Sequence, residues 1–207
     1  MNTVNFENQK ITPSKVLCVG RNYVAHIEEL GNEIPTDMVV FSKPNSAISS
    51  TLNSFHQEAL HYEGELCFLY RQGKFVAVGF GLDLTKRELQ STLKAKGLPW
   101  ERAKAFDGAA VLSHFVAIDN IEQQLVQQLT LQLSIDGKLT QQGGVELMMY
   151  KPDDILAELQ SFTTLEDGDI VMTGTPKGVG IVKSGAVFEG KVFLGEKLLL
   201  AKSWHAV

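Results

Sequence analysis

Cysteine is scarce: 207 residues carry two, Cys18 and Cys67. A disulfide-stapled secreted scaffold uses more. Both sit in apolar runs, "KVLCVG" and "GELCFLY", and read as buried free thiols acting as small hydrophobes. Long apolar runs are missing as well. None reaches the roughly 18 residues that suggest a membrane-crossing helix, and "MNTVNFENQK" has no apolar signal core. The expectation is a soluble, cytoplasmic protein with no membrane partner. Basic tracts are absent too. The 19 Lys and Arg are dispersed against 24 Asp and Glu, for a net charge of −5. Nothing there favours nucleic acid. No internal repeat and no linker rich in Pro, Gly or Ser divides the chain, so residues 1–207 are expected to form one domain.

What is present supports a sizeable core: 44% hydrophobic and 21% charged residues. "VLCVG" reads as a buried strand. "NYVAHIEEL" reads as a helix stopped by Gly31, with His26 and Glu29 three apart on one face. "DMVVFSKP" is a strand ending at Pro44. "ELCFLYRQGKFVAVGFGLDL" is two strands joined at Gln72-Gly73. "TKRELQSTLKAKG" is a helix, with Thr85 and Glu88 at capping-box spacing and Gly97 and Pro99 closing it. "LTLQLSIDGKLTQQ" is a hairpin around Asp136-Gly137. "PDDILAELQSF" is an amphipathic helix with Ile155, Leu156, Leu159 and Phe162 inward. Three late strands follow. The sum is a mainly β, α+β protein with three short helices.

"HYEGEL" places Glu63 and Glu65 two residues apart. In a strand they share a face, and two carboxylates so placed repel unless a cation sits between them. Alone, the pair also fits two solvated charges on an edge strand. Asp83, in "GFGLDL", ends an apolar strand just before a helix, where a turn aspartate is equally at home. If the three meet, they form a hard-oxygen site suited to Mg2+ or Mn2+. No Cys or His pair has zinc-ligand spacing. "GFGLDL" lacks the third glycine of a dinucleotide loop, and in "GVGIVKS" Val182 replaces the glycine that a phosphate loop has before its lysine.

"VGRNYVAHIEELG", "FSKP", "HYEGEL", "GLDLTKRELQ", "GLPWERAKAFD" and "DIVMTGTPKGVG" occur in this order from about residue 16 to residue 182. Together they resemble the fumarylacetoacetate hydrolase superfamily, in particular its small acylpyruvate hydrolase and oxaloacetate-processing branch. The resemblance implies a mixed β-sandwich roll and a homodimer. It also implies Glu63, Glu65 and Asp83 as ligands of Mg2+ or Mn2+, with Ca2+ able to stand in.

By the same resemblance, the substrate is a small keto acid whose enolate a Lewis acid stabilises. Lys104 matches the family's active-site lysine, and His26 with Glu29 matches a His-x-x-Glu dyad on a lid helix that activates water. Arg21 would fork onto the substrate carboxylate. Thr175 and Gly174 would meet substrate, and Lys43 and Gln90 match positions near the pocket. The leading expectation is C–C hydrolysis of acylpyruvates; tautomerisation or decarboxylation of oxaloacetate is the alternative, and a silent binding protein a third. Two departures bear on substrate identity. Thr140 stands where relatives often have Arg, and Val145-Glu146 where small hydroxyl residues are usual. "GAAVL" follows "FD" where Cys-Pro is common.

Overall fold

The computed structural model describes residues 1–29, 31, 33–118 and 122–207. The hairpin of Gly64–Arg71 and Lys74–Asp83 runs through its middle, turning at Gln72 and Gly73, both at positive φ. Nearly every residue of both strands is buried. That is why "ELCFLY" shows no polar alternation: each face of the strand meets its own core. Leu66, Phe68, Val78 and Phe80 pack with Leu131, Leu133, Phe188 and Trp204 of a second sheet. Cys67, Leu69 and Ala77 pack on the opposite side with Val16, Cys18, Ile170 and Met172.

The larger sheet is ordered Val39–Pro44, Lys15–Gly20, Ile170–Met172, Gly64–Arg71, Lys74–Asp83, Ala110–Leu112, Ile48–Ser49. It is mixed: Ile170–Met172 runs parallel to Lys15–Gly20 and antiparallel to Gly64–Arg71. The second sheet is antiparallel, ordered Lys138–Gly144, Leu129–Ile135, Val187–Leu194, Lys197–His205. A short sheet of Thr85–Lys86, Glu58–Tyr62 and Gly180–Ile181 joins the chain on either side of the acidic residues. The mainly β, α+β sandwich is as expected.

One irregularity in the central hairpin positions the site. Tyr70 pairs with Phe75 but Leu69 with Ala77, so Val76 is an extra residue and the register shifts there. Beyond this bulge Gly64 faces Leu82, and the Asp83 N–H donates to the Glu63 carbonyl at 2.8 Å. Were Val76 paired in step with the Tyr70–Phe75 register, Asp83 would fall opposite Tyr62, on the other face from both glutamates, because one step of register turns every side chain over.

Five α-helices lie among the described residues: α1 (Val24–Glu29), α2 (Arg87–Ala95), α3 (Glu101–Lys104), α4 (Gln123–Val126) and α5 (Pro152–Phe162). Two more appear than expected, because α3 and α4 have four residues each and show no periodicity. Leu30, in the expected first helix, lies outside the described residues. The Thr85–Glu88 capping box does not form. The Thr85 hydroxyl accepts from Lys104, and the Glu88 N–H donates instead to the Glu58 carboxylate at 3.0 Å. In α5, Ile155 and Leu159 are buried, whereas Phe162 is exposed at the helix end, not inward. Cys18 and Cys67 are free and buried. None of the described helices is long and apolar enough to cross a membrane.

Candidate active site

Glu63 sits between the Glu58–Tyr62 and Gly64–Arg71 strands, Glu65 is the second residue of the latter, and Asp83 ends the hairpin. All three are buried, and one oxygen from each lies within 4.8 Å of the others. Gly174 braces the ring: its N–H donates to Glu65 Oε2 at 2.8 Å. Its φ is +97°, and a Cβ there would stand 2.9 Å from Asn22 Cβ and 3.0 Å from the Val19 carbonyl oxygen, so only glycine fits.

Lys104, carried in by α3, sits among these acids. Its Nζ donates to Glu63 Oε2 at 2.8 Å, Asp83 Oδ2 at 2.7 Å and Thr85 Oγ1 at 2.6 Å. Burial pushes its ammonium down, but Asp83 and Glu63 outweigh that and hold it charged. Burial likewise pushes Glu63 up, while Lys104 and Arg87 hold it well below the usual carboxylate range. Glu65 differs. Burial raises its carboxyl well above the usual range, Asp83 and Glu63 raise it further, and the Gly174 N–H and Lys104 offset only part. Among the described residues Glu65 is also the member of the ring with no lysine or arginine in ion-pair contact, whereas Glu63 and Asp83 each have two.

The donor set suits a hard divalent ion. All three ligands are carboxylate oxygens, which favour Mg2+ or Mn2+ over zinc. Asp83 Oδ1 is buried without a hydrogen bond among the described residues; Lys43 Nζ lies 2.7 Å away, near enough to pair by charge but off the bonding line. Burial pushes both cysteine thiols up, which keeps them protonated and out of the ligand set.

The other expected residues sort into three groups. Arg21, His26, Gln90, Lys104, Gly174 and Thr175 line one cleft with the acids. Arg21 holds φ at +55°, a costly conformation for a residue with a Cβ, directly after the Lys15–Gly20 strand. His26 Nδ1 stands 3.3 Å from Glu29 Oε2, and the Gly178 N–H donates to Glu29 at 2.9 Å, which docks α1 onto the loop after Thr175.

Lys43 lies near the site but does not line that cleft. It is fully buried, paired with Asp83 and donating to the Lys104 carbonyl. Three residues escaped the sequence reading. Arg87 binds Glu63 Oε1 and donates to Gln90 Oε1 at 2.9 Å. Gln141 donates to Thr175 Oγ1 at 2.8 Å and accepts from the Gly64 N–H at 2.9 Å. Lys94 also lines the cleft. Arg87 and Gln90, three apart on α2, offered the signal.

Residues 15–198 match the sequence profile of the fumarylacetoacetate (FAA) hydrolase C-terminal domain. The chain belongs to the fumarylacetoacetate hydrolase family. It is a family enzyme by its relatives as well. An oxaloacetate tautomerase of Escherichia coli is 40% identical over 187 residues, covering 83% of this chain and 85% of the relative. A mitochondrial oxaloacetate decarboxylase of Dictyostelium discoideum is 36% identical over 197 residues, covering 86% and 88%. Among solved structures of the family, a fumarylpyruvate hydrolase of Pseudomonas aeruginosa, in complex with Mn2+ and pyruvate, superposes with a TM-score of 0.88. It is 27% identical, and the match covers 100% of this chain and 95% of that one.

Proposed function

We propose that the protein interconverts the keto and enol forms of oxaloacetate, or of a closely related 2-oxo diacid, with Mg2+ or Mn2+ held by Glu63, Glu65 and Asp83. When bound, the ion supplies Lewis-acid stabilisation of the enolate. The observation that carries the reading is the buried acidic ring with Lys104 beside it and Arg21 and His26 on the cleft walls.

The chain's own groups account for the proton movements. Glu29, fixed by the Gly178 N–H, faces His26 Nδ1 and so leaves Nε2 to exchange a proton with C3 of the substrate. The Lys104 ammonium, beside the ring, opposes negative charge growing on O2. Arg21 receives the carboxylate next to the 2-oxo group. Arg87 holds Glu63 and Gln90 in place. Gln141 fixes the Thr175 hydroxyl at the cleft wall. Decarboxylation of the keto form leaves the same enolate, so the two relatives' named activities require the same residues. The cleft as it stands leaves about 40 Å³ of free space, about one water's share of liquid volume.

The relatives favour this reading over acylpyruvate hydrolysis, first expected from the sequence. Hydrolysis stands second, favoured by the docked His26–Glu29 pair, which also suits water activation, and by the fumarylpyruvate hydrolase likeness. A single catalytic domain working as a homodimer completes the proposal; light scattering tests the assembly.

The discriminating assay gives the protein Mg2+ and either enol oxaloacetate or acetylpyruvate. Fast loss of enol absorbance without stoichiometric CO2 identifies the tautomerase. Stoichiometric CO2 identifies the decarboxylase, and acetate plus pyruvate from acetylpyruvate identifies the hydrolase. Loss of none of these substrates above the buffer rate refutes the reading.

A further inference from the structure

Helix α2 brings more positive charge to the cleft than the acidic ring requires. Arg87, Gln90 and Lys94 follow one another at three and four residues, so one face of the helix presents all three, and all line the cleft. Arg87 is committed to Glu63 and Gln90. Lys94 begins about 10 Å farther along the axis, at about 1.5 Å per residue. Among the described residues no carboxylate lies within ion-pair distance of it. Its Nζ stands 4.8 Å from the centre of the Trp100 ring, which directs the ammonium without consuming its N–H donors.

The surroundings of Lys94 call for an anion. Burial foremost, with Arg21, Arg87 and Lys104 pushing the same way, lowers its ammonium to about 8 against the pull of Glu63. Of the cleft's fixed charges, Arg21, Arg87, Lys94 and Lys104 oppose only Glu63, Glu65 and Asp83. A divalent ion adds two further positive charges. One carboxylate beside the 2-oxo group leaves an excess of positive charge there, and a second reduces it further.

We propose that Lys94, steered by Trp100, binds the far carboxylate of a dicarboxylic 2-oxo acid and sets a preference for diacids over monoacids. The inference rests on the proposed reaction for its choice of substrate and names the residue that selects it. The metal end of the cleft chelates any 2-oxo or 2-hydroxy acid alike, so discrimination has to come from the outer end. Lys94 is the charged donor there with no carboxylate already in place.

The test separates binding from turnover. Malate and lactate share the 2-hydroxy acid head and differ in the far carboxylate, so calorimetry on Mg2+-loaded protein reads the subsite without catalysis. The wild type binds malate more tightly than lactate. Lys94→Met, which keeps the stem against Trp100, weakens malate by about 10- to 100-fold, the worth of one charge-assisted hydrogen bond, and leaves lactate unchanged. Lys94→Arg restores much of the malate affinity. With oxaloacetate, Lys94→Met raises KM by more than it lowers kcat. Equal affinity of the wild type for malate and lactate overturns the subsite, as does a Lys94→Met variant with an unaltered malate-to-lactate ratio. If malate discrimination depends on Lys94 but the wild type does not turn over oxaloacetate, the proposed reaction fails and the subsite stands.

Discussion

Replacing Lys43 by Met tests whether the charge beneath Asp83 holds the site together. Lys43 is fully buried, pairs with Asp83 at 2.7 Å and donates to the Lys104 carbonyl. Methionine keeps the length and most of the volume but removes the ammonium. Stripping one partner from a buried ion pair costs about 3–5 kcal/mol, because the other charge stays behind uncompensated. Asp83 still has Lys104 at 2.7 Å, so the lower end, about 3 kcal/mol, applies. For a chain of 207 residues each kcal/mol moves Tm by about 2–4 °C, which gives a drop of about 6–12 °C. The assay is a thermal melt followed by circular dichroism in EDTA, repeated with Mn2+. At 100-fold excess over Kd the ion adds about 2.7 kcal/mol to any form that binds it equally well. In Lys43→Met the ion also replaces positive charge missing from Asp83, so its Tm rise exceeds the wild-type rise. A variant that melts within about 2 °C of the wild type in EDTA refutes the reasoning. So does an equal rise with Mn2+ in both proteins.

Three further outcomes follow from the geometry. Arg87→Lys loses most of the oxaloacetate turnover although charge is kept, because a single ammonium cannot hold Glu63 and Gln90 together; steady-state rates check it, and near-wild-type kcat/KM contradicts it. Gly178→Ala undocks α1, since Gly178 has φ +103° and a Cβ there would overlie the Thr140 carbonyl oxygen; kcat falls while Mn2+ affinity holds, measured by turnover and calorimetry. Asp169→Asn costs about 2 kcal/mol at pH 7 in a urea melt. Burial pushes the Asp169 carboxyl up, but hydrogen bonds from Lys15, the Glu166 N–H and Ser14 hold it below its ordinary 3.8. Its stabilisation is therefore complete above that value and is lost as pH falls through the lower folded value, so wild type and variant converge in acid.

The parts of the site legible in the sequence are those that local spacing determines. Glu63 and Glu65 are two apart, His26 and Glu29 three apart, and the hairpin turns form where Gln72-Gly73 and Asp136-Gly137 announced them. Asp83 is another matter. Its place on the glutamates' face depends on one extra residue, Val76, inside a strand whose neighbours are all apolar. No alternation exists there to mark the bulge, so composition alone leaves the convergence open and only the family resemblance anticipated it.

Lys104 rides on a four-residue helix too short to leave a periodic trace. Lys43 lies near the site yet off the cleft wall. Its motif places it near the pocket, but whether a lysine points into a cleft or under it depends on the sheet across from it. The Thr85 cap failed for a similar reason: a tertiary partner, Lys104, claimed the hydroxyl that a local rule assigned to the helix.

The central claim is that Glu63, Glu65 and Asp83 close around one divalent ion. Calorimetric titration of metal-free protein with Mn2+ measures this directly, with Glu65→Gln beside the wild type. One ion per wild-type chain, and loss of that binding in a Glu65→Gln protein that still melts cooperatively, is the expected result. Wild-type Mn2+ affinity retained by Glu65→Gln, or no binding by the wild type, would contradict it.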